Sequence, residues 1–321
     1  MMQEKWKGLV FLDVKEDLIE NDTDLGHGLL LRKATMEELS NEGSEWHFRS
    51  FSERRGTLGL LNQRLPLTGN RPGGHPISDP SQWRHAVIEC SDPNLFYWNV
   101  NIAFSIAEVD LRMGYVTLES GATSTPYLEF SMLNIRNSLG AMFVDHELPS
   151  ACKVNLLKKD LNLIIPKLNM EFPSEVRKII SLYLSLDNLP DSSPFKVLGY
   201  FSVIEGLLSH SPQPEDRMDS IQRQLIRNIN LLNNRLKLID RDINFSAFGE
   251  TNITKVLKLL YAYRSAVAHG GKIETPIKAI SKLRQTKEET DHLWVHDWLR
   301  LMTKRLILAA IIEPELVMDL K

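Results

Sequence analysis

The stretch Leu259-Leu-Tyr-Ala-Tyr-Arg264-Ser-Ala-Val-Ala-His269-Gly-Gly271 decides how the second half of this chain is read. Leu257, Leu260, Tyr263 and Val267 recur at the three- and four-residue spacing of one helix face. Two glycines follow, and glycine is the residue that ends helices by entering the left-handed conformation. The pattern predicts a helix over 252–269. A helix with one apolar stripe has to bury it against something, and its neighbours supply further helices. Over 195–210, Val197, Phe201, Ile204 and Leu208 share a face, and Pro212 and Pro214 end the run. Over 220–240 the buried stripe reads Ile221, Leu225, Ile229, Leu232 and Leu236. A long closing helix is expected over 288–312, stopped by Pro314. Helices of this kind joined by modest loops make a bundle.

Moving outward towards the N-terminus, the pattern changes. Residues 6–14, 84–90, 99–109 and 113–118 alternate or run apolar with β-branched content, which predicts strands. A turn-rich loop, 68–80, separates the first from the rest. Residues 126–190 are transitional. Helical patterns over 156–168 and 174–186 are interrupted by Pro166 and Pro173, and Ser174 followed by Glu175 is a fair helix start. The expected fold class is α+β: a mixed α/β N-terminal domain over 1–150 with a partly antiparallel sheet, then an all-α bundle over 151–321.

Composition narrows the function classes. Hydrophobic residues make up 43% and charged residues 25% of the 321, the balance of an ordinary globular chain rather than a disordered one. No window holds the ~18 uninterrupted apolar residues of a membrane span, and the first residues lack the apolar run of a signal peptide. Two cysteines, Cys90 and Cys152, are too few for a disulfide framework, so a reduced, cytoplasmic protein is expected. Net charge is −3, which excludes a globally basic nucleic-acid binder. The charge is uneven, however. Residues 1–190 carry 19 Lys and Arg against 25 Asp and Glu, whereas residues 191–321 carry 19 against 16. The basic half holds Arg264 and His269, which suits a polyanionic substrate.

Arg264 and His269 carry the chemistry. Arginine is permanently charged and forks two hydrogen bonds onto a phosphate. Histidine exchanges protons near neutral pH. Together they suffice to cut RNA without a metal, since the RNA 2′-hydroxyl is an internal nucleophile. On a regular helix His269 is turned about 140° from Arg264, so one helix does not hold both on one face. Either the glycine turn redirects His269, or a working site combines two chains. A structural role is open beside the chemical one: a histidine near a helix C-terminus, before glycine, caps it.

The segment Tyr263-Arg264-Ser265 through His269-Gly270-Gly271 resembles the HEPN superfamily signature, Arg-x4–6-His, and is closest to its Apea-like branch. The resemblance covers the C-terminal part of the chain and implies a HEPN-like helical bundle there. It further implies a metal-independent endoribonuclease, a toxin or antiviral defence effector, that leaves a 2′,3′-cyclic phosphate. It implies no cofactor, and a homodimer in which the motifs meet at a groove. Glu205, inside the apolar helix over 195–210, becomes a candidate to orient Arg264 or His269; a solvent-facing Glu205 is the plain alternative. Many HEPN motifs carry Asn, Asp or His directly after the Arg; here the residue is Ser265, kept as a candidate RNA contact.

Other residues are weighed against plainer roles. Arg223 and Arg227, one turn apart, can grip neighbouring phosphates, or with Lys237 and Arg241 can form a solvated face. His292 and His296 have the one-turn spacing of half a zinc site, but Leu293 stands where a metalloprotease helix has Glu, so no metal is expected. Gly69 to Gly74 lacks the Gly-Lys-Ser/Thr of a phosphate loop. The expected partners are RNA (tRNA or mRNA), a second copy of the chain, and a phage-derived trigger or antitoxin; no membrane is expected. The alternative is an inactive HEPN module that binds or dimerises within a regulatory or defence complex, with the function carried by the N-terminal domain.

Overall fold

The computed structural model describes residues 5–11, 22–33, 69–70, 76–77, 85–92, 94–109, 113–120, 123–127, 151–169, 173–190, 193–211, 220–249, 252–284 and 292–320. The chain forms two compact units, Met1–Ile165 and Pro166–Lys321. The fold is α+β, with sheet and helix in the first unit and helices in the second. Among the described residues, no helix is long and apolar enough to cross a membrane.

In the first unit the strands are β1 (Lys5–Phe11), β2 (Thr23–Gly26), β3 (Leu29–Lys33), β4 (Gly69–Asn70), β5 (Pro76–Ile77), β6 (His85–Cys90), β7 (Met113–Ser120) and β8 (Thr123–Tyr127). Six form an antiparallel sheet in the order β2-β3-β6-β1-β7-β8, and β4 pairs only with β5. The rest of the 68–80 loop lies outside the described residues, as do 12–14 of the first predicted strand. Trp6 is buried and donates its indole N–H to the Leu95 carbonyl at 2.8 Å. Cys90 is a buried free thiol, and burial pushes it up to about 11, so it stays protonated and unreactive at neutral pH. On the sheet Arg32 donates to Glu89 at 2.6 Å, with Lys7 at 3.8 Å from the same oxygen.

The predicted strand over 99–109 is instead the helix α1 (Tyr97–Ile106). Val100, Ile102, Phe104 and Ile106 alternate with other residues, which suits a strand. In a helix the same positions point all around the axis, and this helix is buried nearly all around: those four and Ala103 are covered. The helix α2 (Ala151–Leu168) runs through Pro166 into one further turn. Its buried Asp160 accepts the Glu108 backbone N–H at 2.9 Å, and its Lys158 donates to the Asp24 carbonyl at 2.8 Å.

The second unit holds α3 (Ser174–Ser185), α4 (Phe195–Leu208), α5 (Ile221–Lys237), α6 (Ile253–Ala268), α7 (Glu274–Arg284), α8 (His292–Ile312) and α9 (Pro314–Asp319). The short helices α7 and α9 were not anticipated. Pro314 does end α8, but it also opens α9, since a proline lacking its N–H is at no disadvantage in a first turn. Residues 212–219, with Pro212 and Pro214, lie outside the described residues, as do 285–291.

α4 is the centre of the bundle: α3, α5, α6, α8 and α9 all pack on it. Val197, Phe201, Ile204 and Leu208 are buried as expected, and so are Tyr200, Val203 and Leu207. At Gly206 an added Cβ would overlap the Ile179 side chain of α3, so glycine there permits the close approach of the two helices. The buried stripe of α5 carries polar residues that finish other elements. Asn228 donates to the Leu208 carbonyl at 2.7 Å, Gln224 accepts the His210 N–H at 2.9 Å, and Asn233 accepts the Ile243 N–H at 2.7 Å. The first of these satisfies a carbonyl that the end of α4 otherwise leaves without a partner, and the other two hold the chain that follows α4 and α5.

Candidate functional site

α6 begins with an Asn252 cap, whose side-chain oxygen accepts the Thr254 N–H at 2.8 Å. Its inward face presents Val256, Leu257, Leu260 and Tyr263, all buried. Arg264 follows Tyr263 and turns towards α4. There Nη2 lies 3.4 Å from both Glu205 oxygens, with hydrogen-bond geometry to Oε2. The side chains keep 27% and 19% of their exposure, so the pair is half-buried. Arg264 Nε and Glu205 Oε1 are buried without a hydrogen-bond partner. The pair is therefore loosely made. Burial raises the Glu205 carboxyl above the ordinary carboxylate range, and the charge and hydrogen bond of Arg264 oppose that rise only in part.

The Arg264 guanidinium also lies 5.7 Å from the centre of the Tyr261 ring, which meets Phe201 of α4 edge-on at 5.9 Å. Tyr261 went unremarked in the sequence, although its three-residue spacing from Arg264 puts the two on one helix face.

His269 belongs to a different surface. It is the C-terminal cap of α6, exposed, with its N–H bonded to the Ser265 carbonyl at 3.1 Å. Gly270 is left-handed (φ +65°), and the Gly271 N–H reaches back to the Ala266 carbonyl at 2.8 Å. This is the six-to-one closure of a Schellman cap. Helical geometry holds up to that point, so the angle of about 140° between Arg264 and His269 stands, and the cap does not fold the imidazole back towards Arg264. Among the described residues the His269 ring has no hydrogen-bond partner. Ser265, half-exposed, contributes its carbonyl to the cap.

The remaining candidates are spread over the bundle. Arg223 and Arg227 are exposed on α5, and Arg227 donates to the Asn228 side chain at 3.1 Å. Arg241, grouped with them by sequence, is only 5% exposed and donates to the Asp240 carbonyl at 2.8 Å. The cause is the left-handed turn at Asp240 (φ +55°), after which the chain doubles back and the Arg241 N–H meets the Leu236 carbonyl. His296 of α8 is buried with its Nε2 3.1 Å from the hydroxyl of Tyr263, and His292 meets its ring edge-on at 5.7 Å. Burial pushes Tyr263 up to about 12, so this hydroxyl stays protonated. Among the described residues no cluster of three or more His, Cys, Asp or Glu is placed to hold a metal ion.

Comparison with family models, with curated proteins and with solved structures gives no match to this chain.

Proposed function

We propose that the protein is a metal-independent endoribonuclease of HEPN type, a cytoplasmic antiviral defence effector or toxin, whose site is completed by a second copy of the chain. The observation that carries this reading is the state of Arg264: a half-buried guanidinium, loosely held by Glu205, with an unused Nε donor. The resemblance around residues 263–271 supplies the reaction and the setting. In this mechanism one His269 takes the proton of the RNA 2′-hydroxyl. The 2′-oxygen attacks phosphorus, the bond to the 5′-oxygen breaks, and that oxygen receives a proton. The products are a 2′,3′-cyclic phosphate and a 5′-hydroxyl. Base and acid are needed at opposite ends of the reacting phosphate, and each chain offers one His269. Two copies supply both, and Arg264 steadies the charge on the phosphorane-like transition state. Glu205 holds the guanidinium in place until the phosphate arrives.

The test is digestion of total RNA or tRNA in EDTA. Wild-type protein is expected to cut; His269→Ala and Arg264→Ala are each expected to lose roughly 10²–10⁴ in rate. A mixed dimer of the two variants keeps one His269 and one Arg264, so it is expected to stay impaired if both imidazoles are required. Wild-type rates in either variant overturn the assignment.

A second reading has its own support. Arg264 is engaged by Glu205 and His269 completes a helix cap, so both have structural employment. That is what a HEPN module used for binding or dimerisation needs. Absence of cleavage by a dimeric wild-type protein, of about twice 36.7 kDa in light scattering, would favour it.

A further inference from the structure

Among the described residues, the lysines of the α6–α7 hairpin have no ion-pair partner. Residues 252–284 hold seven Lys and Arg and a single acid, Glu274. Arg264 is paired with Glu205, and Arg284 lies on the Trp294 ring at 3.8 Å. The five lysines, Lys255, Lys258, Lys272, Lys278 and Lys282, are all exposed, and among the described residues none has an ion-pair partner. Elsewhere some charges are matched, Arg32 with Glu89, Lys158 with Asp24 and Arg235 with Glu313, while others such as Lys159 and Lys178 also have no ion pair among the described residues.

Their placement is ordered. On α6, Lys255, Lys258, Ala262 and His269 fall within an arc of about 60°, and all four are exposed. This arc is the side of the helix away from its buried face. α7 packs on α6, and its exposed side carries Lys278 and Lys282 one turn apart. Lys272 stands in the connection between the helices. Like charges one turn apart repel, so the members of the pairs Lys255/Lys258 and Lys278/Lys282 do not stabilise each other. A line of such charges suits a partner that brings many negative charges in a line.

We propose that the outer face of the α6–α7 hairpin is the track on which the phosphate backbone of single-stranded RNA lies, leading to His269 at the end of α6. The choice of RNA among polyanions rests on the ribonuclease reading; the track itself does not require cleavage. Lysine makes point-charge contacts that position a backbone without reading its sequence, so binding is sequence-tolerant and strongly salt-dependent.

The experiment uses a labelled 2′-O-methyl oligoribonucleotide, which lacks the hydroxyl needed for cleavage, so binding is read apart from catalysis. Anisotropy titrations of the full chain in EDTA, at several salt concentrations, give the slope of log Kd against log salt. In the variant Lys255→Gln/Lys258→Gln/Lys278→Gln/Lys282→Gln that slope is expected to fall by about 0.7 for each lysine that meets a phosphate. The control Lys159→Gln/Lys178→Gln removes exposed lysines elsewhere and is expected to leave it unchanged. Should the fourfold variant not fold, the double variants Lys255→Gln/Lys258→Gln and Lys278→Gln/Lys282→Gln each give half the effect. An unchanged slope in the folded variant overturns the proposal. So does a wild-type protein that binds phosphatidylserine vesicles or polyglutamate but not the oligonucleotide. Lysine-dependent binding by a protein that never cuts RNA would sink the catalytic reading and leave the track standing.

Discussion

The two sides of α6 treat charge in opposite ways. On the inner side Arg264 meets Glu205 of α4 in a half-buried, loosely made pair within the chain. On the outer side the lysines have no ion-pair partner among the described residues, and neither has the His269 ring a hydrogen bond there. A single helix thus separates a structural use of charge from an external one. The difference teaches that the two residues of the Arg/His pair have different exposures to mutation. Loss of Arg264 disturbs a fold contact, whereas loss of the exposed His269 ring removes no contact among the described residues.

The largest expected effect tests that division directly. His269→Ala should lower RNA cleavage by roughly 10²–10⁴ with an unchanged melting temperature, since the cap is made by backbone groups. Arg264→Ala should lower cleavage by a similar factor and in addition cost about 1–3 kcal/mol of stability, because Glu205 is left half-buried and unpaired. Equal melting temperatures for the two variants would break the comparison. Next in size, Gly270→Ala should cost about 1–2 kcal/mol, since alanine is disfavoured in the left-handed turn that closes α6. Chemical denaturation reads both.

A smaller effect concerns pH. Burial raises the Glu205 carboxyl in the folded protein, so the folded state holds its proton more tightly than the unfolded chain does. Stability is then greater at low pH and declines as pH rises from the ordinary carboxylate range through the raised value, after which it levels. Glu205→Gln should remove this component of the decline in melting temperature measured between acid and neutral pH. A wild-type profile that gains stability from Glu205 over that window would mean that Arg264 outweighs burial. The smallest effect belongs to the outer side: Lys255→Gln, in the first turn of α6, should be more stable by about 0.2–0.5 kcal/mol at low salt, as repulsion from Lys258 is relieved.

The helical half was legible because its apolar spacing and its end signals agree. The stripe Leu225, Ile229, Leu232 and Leu236 is buried as read, and α6 starts at its Asn252 cap and ends at its glycines. The first unit was less so. Val100, Ile102, Phe104 and Ile106 fit a strand and a mostly buried helix equally well, and only packing decides between them. The hairpin of β2 and β3 carried no clear alternation. In the candidate site, the angle between Arg264 and His269 follows from residue spacing. The contact of Arg264 with Glu205 joins positions 59 apart and is set by how α4 and α6 cross, which no local pattern encodes. Arg241 was misplaced because one left-handed residue, Asp240, reverses the chain beneath it.

The glycine closure of α6 has an evolutionary consequence. His269 is placed by the hydrogen bond of its own amide to Ser265 and by the turn at Gly270, not by its imidazole. Position 269 therefore accepts almost any side chain while the bundle remains folded. On the proposed reaction, a lineage under pressure to disarm the protein needs change only that one codon, the altered copy keeps its shape and its lysine face, and a second change there restores the imidazole.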